Sequence, residues 1–231
     1  MLKWIKMFEE ILKIEDGPVE YELYHRGHIK MKEHRFPLSI KNAEFEFLTN
    51  LIRDNNLQRG FECATAFGIS GTAIALGFKE TGGVLVSMDA YIEEKCKDAG
   101  AYQNFEREVY NTAEGYKSVK HLIKHFNLEN NFYPEIGWSP DDVESTIVKH
   151  FGDKKLDFVF LDAGHFPEQM IKDITAIKPF LGEKFVFVFH DIFPSSFSRE
   201  VHELCISLFG KDVEIKVPYP DGENLGYIWN L

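Results

Sequence analysis

Asp212-Val213-Glu214-Ile215-Lys216-Val217 and Leu225-Gly226-Tyr227-Ile228-Trp229-Asn230 are two strand-like runs at the end of the chain, separated only by residues 218–224. Parallel neighbours need a crossover of a dozen or more residues, so these two runs must pair antiparallel. The chain before them reads differently. Residues 59–65, 83–88 (ending at Asp89), 131–136, 156–161 and 183–189 are buried, strand-like runs. Helical patterns at 71–79, 102–126, 140–150, 167–181 and 196–209 alternate with them. Such alternation implies a parallel sheet covered by helices on both faces. The expectation is an α/β, three-layer Rossmann-like fold: a mostly parallel seven-stranded sheet closed by a C-terminal antiparallel hairpin.

The 231 residues suit a single domain over 1–231, with a core at 58–231. Residues 1–57 read as a polar, helical extension or cap, less regular at 15–37. A well-defined helix at 42–55 carries Ala43, Phe45, Phe47, Leu48, Leu51 and Ile52 on its apolar positions. The first residues, 1–14, form an amphipathic pattern broken by Glu9 and Glu10, with no membrane-length run and no small-residue cleavage site. A cytoplasmic protein with no membrane partner is expected.

Composition narrows the partners. The chain is 44% hydrophobic, 27% charged and carries a formal net charge of −11, with no dense Lys/Arg run. Nucleic-acid binders neutralise phosphate with basic patches, so this balance argues against a nucleic-acid substrate. The three cysteines, Cys63, Cys96 and Cys205, are widely spaced, which fits a reducing compartment rather than a disulfide framework.

In an open α/β sheet, ligands sit beyond the carboxyl ends of the strands, where the strand order switches. The first such loop is Glu62-Cys63-Ala64-Thr65-Ala66-Phe67-Gly68-Ile69-Ser70-Gly71. It lacks the GxGxxG of dinucleotide dehydrogenases. A helix starting near Ser70 offers free N–H groups to a carboxylate, although the same turn also serves a plain strand-to-helix connection. Asp89, at the tip of the second strand, can accept hydrogen bonds from both hydroxyls of a ribose, or simply cap a turn.

The loop resembles motif I of class I methyltransferases, closest to the catechol O-methyltransferase-like pattern. Glu62, Gly68 and Ser70 match it, and Ala64 stands where the family usually has its first glycine. The resemblance implies that this loop wraps the methionine part of S-adenosylmethionine, with Ser70 near its carboxylate. After the third strand, Trp138 falls where the family flanks the adenine. It suits stacking on that ring and, equally, packing on the following helix.

Two further strands end in an acid with a nearby histidine. Residues 156–161 run into Asp162-Ala163-Gly164-His165, and residues 183–189 into His190-Asp191. This pair resembles the "Asp-x-x-His … His-Asp" signature of methyltransferase family 24 and of related sugar and macrolide O-methyltransferases, a resemblance covering residues 39–231. It implies an O-methyltransferase acting on a small-molecule acceptor, with His165 as general base and Asp162 and His190 beside it. Asp162 would also face the cofactor. Asp162 and Asp191 match metal-binding positions of metal-dependent relatives, and oxygen ligands suit Mg²⁺. The catechol-type third ligand would fall at Ile192, which cannot coordinate. Asp162 as a cap of the next helix and His190 as a packed core residue are the plainer readings.

Two other functions fit part of the pattern. One is a methyltransferase-like fold that binds the nucleoside without turnover. The other is a metal-dependent hydrolase using Asp162, His165, His190 and Asp191. His25, His28 and His34 lie near Arg26 and Arg35 in a segment suited to a surface, or to a lid selecting acidic acceptors. A homo-oligomer is compatible with all of these.

Overall fold

In the computed structural model, residues 21–25, 29–33, 40, 42–90, 112–164, 166–190, 192, 198–216 and 225–231 are described. Nine strands occur among them. The strands β1 (Tyr21–His25) and β2 (Ile29–Glu33) form a separate antiparallel pair, with Tyr21 opposite Glu33 and His25 opposite Ile29. The helical reading of residues 1–57 is corrected at 21–25 and 29–33, within its less regular stretch, and holds at 42–54. In Tyr-Glu-Leu-Tyr-His and Ile-Lys-Met-Lys-Glu, apolar and polar residues partly alternate, a period of two that favours strands.

The remaining strands make the main sheet: β3 (Arg59–Cys63), β4 (Val84–Asp89), β5 (Phe132–Ile136), β6 (Leu156–Leu161), β7 (Leu181–Phe189), β8 (Glu214–Lys216) and β9 (Leu225–Asn230). Their order is β5-β4-β3-β6-β7-β9-β8. The strands β3 to β7 are mutually parallel, and β9 runs antiparallel to both β7 and β8. The expected seven-stranded, mostly parallel sheet with an antiparallel close is what forms. Successive strands step outward to β4 and β5 on one side of β3 and to β6 and β7 on the other. The switch point therefore lies between β3 and β6, the place where open α/β sheets bind their ligands.

Alternate residues of the central strands feed two cores. Phe158, Phe160, Val186 and Val188 pack with α1 (Asn42–Asp54), α2 (Ile69–Thr81) and α3 (Thr112–Phe126). Val159, Leu161, Phe185, Phe187 and Phe189 pack with α4 (Val143–Phe151), α5 (Pro167–Ile177) and α6 (Arg199–Phe209). The period of two along each strand thus produces three layers. Helix α1 joins the first core through Phe45, Leu48 and Ile52, all essentially buried. Each such side chain contributes about 1.5–3 kcal/mol of burial. Helix α1 also lies close on α2. A Cβ at Gly77 would meet the Thr49 carbonyl at 2.8 Å, so only glycine permits this approach. No helix among the described residues is long and apolar enough to cross a membrane.

Candidate active site

The loop after β3 turns three times into the left-handed region, at Ala64 (φ 73), Ala66 (φ 46) and Gly68 (φ 85). Glycine adopts this conformation freely, whereas an alanine there costs on the order of 1 kcal/mol. Ala64 therefore holds a backbone shape that glycine adopts more freely. Three hydrogen bonds hold the loop in place. The Ala64 amide donates to the Met88 carbonyl (2.9 Å), the Gly68 amide to the Thr65 carbonyl (2.7 Å) and the Ala66 amide to Asp89 Oδ2 (2.8 Å). The first loop and the acid of β4, far apart in sequence, are joined directly.

Below this loop lies a buried polar network. Glu62, with no exposed surface, accepts a hydrogen bond from Ser87 Oγ at Oε2 and another from the Ser70 hydroxyl. Thr65 Oγ1 and Ser87 Oγ lie 2.5 Å apart. Burial pushes the Glu62 carboxyl up to about 8, assisted by the charges of Asp162 and Asp89 and opposed by the two serine hydroxyls. At neutral pH Glu62 is therefore a neutral acid. Its second oxygen, Oε1, is buried with no hydrogen-bond partner. That orphaned oxygen needs a partner, and an ammonium group placed against it would both favour the carboxylate form and donate to it.

The loop after β5 carries Trp138, half-buried, whose amide donates to Asp142 Oδ2 at 2.8 Å. Ser139 and Pro140 are joined by a cis peptide. Ser139 Oγ lies 2.5 Å from Asp173 Oδ1, and Gln169 Nε2 donates to that same oxygen (2.8 Å) and to the Ser139 carbonyl (3.0 Å).

At the tips of β6 and β7 the acids and the histidine come together. The Asp162 amide donates to the Cys63 carbonyl (3.2 Å), and the His190 amide to the Leu161 carbonyl (3.0 Å). His190 Nδ1 lies 3.2 Å from Asp162 Oδ1, and His190 Nε2 lies 3.6 Å from Glu44 Oε2. His190 and Glu44 are both buried, while Asp162 is half-buried. His190 is thus packed, as the plainer reading held, yet it bridges two carboxylates. His165 and Asp191 lie outside the described residues.

Ile192 is buried and fills the space left by Gly226 of β9, where a Cβ would meet Ile192 Cδ1 at 1.9 Å. It is a core residue. Among the described residues, no three His, Cys, Asp or Glu side chains are grouped to hold a metal ion, and Asp162 already faces His190. Of the expected Mg²⁺ pair, Asp162 faces His190, and Asp191 lies outside the described residues. S-adenosylmethionine does fit, through the orphaned Glu62 oxygen and the Asp89-locked loop at the switch point.

The structure brings Glu62, Ala64, Gly68, Ser70 and Asp89 into one unit and sets Asp162 beside His190. Sequence reasoning missed Glu44, Ser87 and Asp173. A signal existed for two of them. Glu44 stands four residues before Leu48 on the apolar stripe of α1, and Asp173 stands between Met170 and Ile177 on that of α5. An acid on the buried stripe of an amphipathic helix is out of place unless it has a task.

A Rossmann-like sheet closed by an antiparallel hairpin, with a glycine turn after its first strand and an acid at the tip of its second, defines a class I S-adenosylmethionine-dependent methyltransferase. The chain belongs to methyltransferase family 24, whose methyltransferase domain matches residues 61–192. No curated protein matches it in sequence. Solved structures share the fold at low identity. An O-methyltransferase from Bacillus cereus in complex with SAH superposes with a TM-score of 0.59 at 14% identity, covering 83% of this chain and 82% of that one. The O-methyltransferase TomG from Streptomyces achromogenes, involved in tomaymycin synthesis and solved with SAM, gives 0.59 at 16% identity, with 84% and 82% covered. A putative caffeoyl-CoA O-methyltransferase from Staphylococcus aureus gives 0.57 at 17%, with 83% and 85% covered.

Proposed function

We propose that this methyltransferase moves the methyl group of S-adenosylmethionine to an oxygen of a small-molecule acceptor. One observation carries the cofactor half of this reading: Glu62 Oε1, buried and unpartnered beside the Asp89-locked loop. The cofactor supplies an activated sulfonium methyl when bound, so the protein's task is to bind, orient and manage one proton. Glu62 would accept from the amino group of the methionine part. Gly68 and Ser70, at the start of α2, would face its carboxylate, and Ala64 would shape the turn around it. Asp89 would hold the ribose hydroxyls and Trp138 the adenine face.

On the acceptor side, His165 would take the hydroxyl proton as general base, a role that suits an imidazole titrating near neutral pH. Asp162, held by His190, would orient the acceptor and border the cofactor. No step is routed through a metal. Family membership favours methyl transfer over the hydrolase alternative. The small-molecule acceptor follows from the named activities of the structural neighbours and from the acidic charge balance of this chain. The free, buried Cys63 and Cys205 agree with a reducing, cytoplasmic setting.

The test combines thermal denaturation with transfer of a radiolabelled methyl group to a panel of phenols, catechols and sugar hydroxyls. S-adenosylmethionine and S-adenosylhomocysteine should each raise the melting temperature, and His165→Ala should abolish transfer while keeping that shift. A flat response to both ligands at millimolar concentration would overturn the assignment of the crevice. Retained binding with no transfer to any acceptor would favour a binding protein without turnover.

A further inference from the structure

Asp173 stands in the middle of the buried stripe of α5, flanked by Met170, Ile174 and Ile177, and has no exposed surface. An apolar residue there would normally give the more stable core. Burial pushes its carboxyl up to about 6, so near neutral pH the group is an anion kept inside the protein at a cost. The donors around it come from different elements. The Ser139 hydroxyl arrives from the loop after β5, the Gln169 amide from α5 itself and the Gly164 backbone amide from the turn after β6. Gln169 also donates to the Ser139 carbonyl. Gly164 lies so close on Gln169 that a Cβ would fall 2.1 Å from its Cγ. Cys63 Sγ, at the end of β3, approaches Ser139 Oγ at 3.8 Å.

We propose that Asp173 is a positioning residue. It clamps the 138–140 loop, which borders the adenine end of the crevice, to the Gly164 turn, which leads into His165. Through this one carboxylate the cofactor side and the acceptor side of the site keep a common register. The clamp works through Oδ1, which receives both the Ser139 and the Gln169 bonds, and reaches the turn through the close packing of Gly164 on the Gln169 side chain, while Oδ2 is buried without a partner. Asparagine keeps a carbonyl oxygen in that place and alanine keeps none.

This inference rests on the adenosyl reading of the crevice, and its test separates the two. Dissociation constants for S-adenosylhomocysteine are measured for the full chain, for Asp173→Ala, Asp173→Asn and Ser139→Ala, and for the Ser139→Ala/Asp173→Ala double variant. Asp173→Ala should weaken binding roughly tenfold or more, the scale of a lost hydrogen bond to a buried charge. Asp173→Asn should restore it to within about threefold of the parent. The double variant should bind no more than about twofold weaker than Asp173→Ala, because both changes break one clamp. Multiplicative losses, an Asp173→Asn variant as weak as the alanine, or undiminished binding by folded Asp173→Ala would each overturn the clamp.

A second readout needs no ligand. With 5-fluorotryptophan incorporated and the Trp138 resonance assigned by Trp138→Phe, the ¹⁹F signal of Trp138 should move in Asp173→Ala and stay in place in Asp173→Asn. An unmoved signal in the alanine variant overturns the proposal even where the cofactor reading stands. A parent protein that ignores S-adenosylhomocysteine but shows the ¹⁹F pattern would sink the cofactor reading and keep the clamp. Should Asp173→Ala fail to fold, Ser139→Ala carries the ¹⁹F test. It should shift the Trp138 signal, and a fixed signal would again overturn the clamp.

Discussion

The two halves of the crevice are built on opposite electrostatic plans. At the cofactor end, Glu62, Ser70, Ser87 and Thr65 form a neutral network under a loop whose backbone is held in left-handed turns. At the proposed acceptor end, Glu44 and Asp162 flank the His190 ring, so three titratable groups meet around one imidazole. The first half is shaped within one βαβ unit, by the loop after β3 and the neighbouring strand β4. The second is assembled from α1, β6 and β7 and depends on the whole domain being folded. A site with one end fixed locally and one end fixed globally should fail differently when each end is cut.

The largest effect is expected at the charged end. Glu44→Ala removes the carboxyl group facing His190 Nε2, leaving the ring only its Asp162 side, and should cost about 3 kcal/mol of stability, read by urea unfolding. Affinity for S-adenosylhomocysteine per folded molecule should change little. A variant as stable as the parent would remove the contrast between the two ends.

At the neutral end, Asp89→Ala removes the acceptor for the Ala66 amide and, on the proposed reading, for the ribose hydroxyls as well. It should weaken S-adenosylhomocysteine by about a hundredfold, on the scale of charge-assisted hydrogen bonds. Calorimetric titration checks this. An unchanged affinity would mean the sugar is held elsewhere.

Glu62 sharpens the comparison through pH. Its folded-state value is raised to about 8 from the ordinary 4.5. The stability it contributes is therefore fully present below about pH 4.5 and is lost as pH rises through about 8. In Glu62→Gln this contribution to the slope disappears. The difference in unfolding free energy between parent and variant should change by on the order of 4 kcal/mol between pH 5 and pH 9. Asp173, raised to about 6, has a contribution of the same sign, but it is present in both proteins and cancels. Parallel pH profiles would show that Glu62 is not held neutral.

The smallest effect concerns the turn itself. Ala64→Gly relieves a left-handed alanine and should raise stability by about 0.5–1 kcal/mol, less the added freedom of the unfolded chain. Thermal denaturation reads it, and a destabilised variant would show that the Ala64 methyl packs usefully.

Much of this was legible from the residues alone. The strands at 156–161 and 225–230 are bounded as expected, because buried apolar runs between turn residues leave little freedom. The hairpin near the N-terminus was not legible, since Gly27 and the weak alternation beside it compete with a helical pattern. Within the site, the first loop and Asp89 were readable because a strand, a turn and an acid follow one another in sequence. Ile192 was recognised as unable to coordinate, but its partner Gly226 was visible only in three dimensions.

From residue 42 onward, the order of strands and helices, the closing hairpin and the loops that carry the candidate site residues are all properties of local pattern, and the sequence by itself determined them. The meeting of Glu44 with His190, the convergence of Ser139, Gln169 and Gly164 on Asp173, and the neutral state of Glu62 were decided only by the tertiary structure. Each depends on which layers pack together and how completely they exclude water, and burial of that kind is a property of the folded whole rather than of any stretch of the chain.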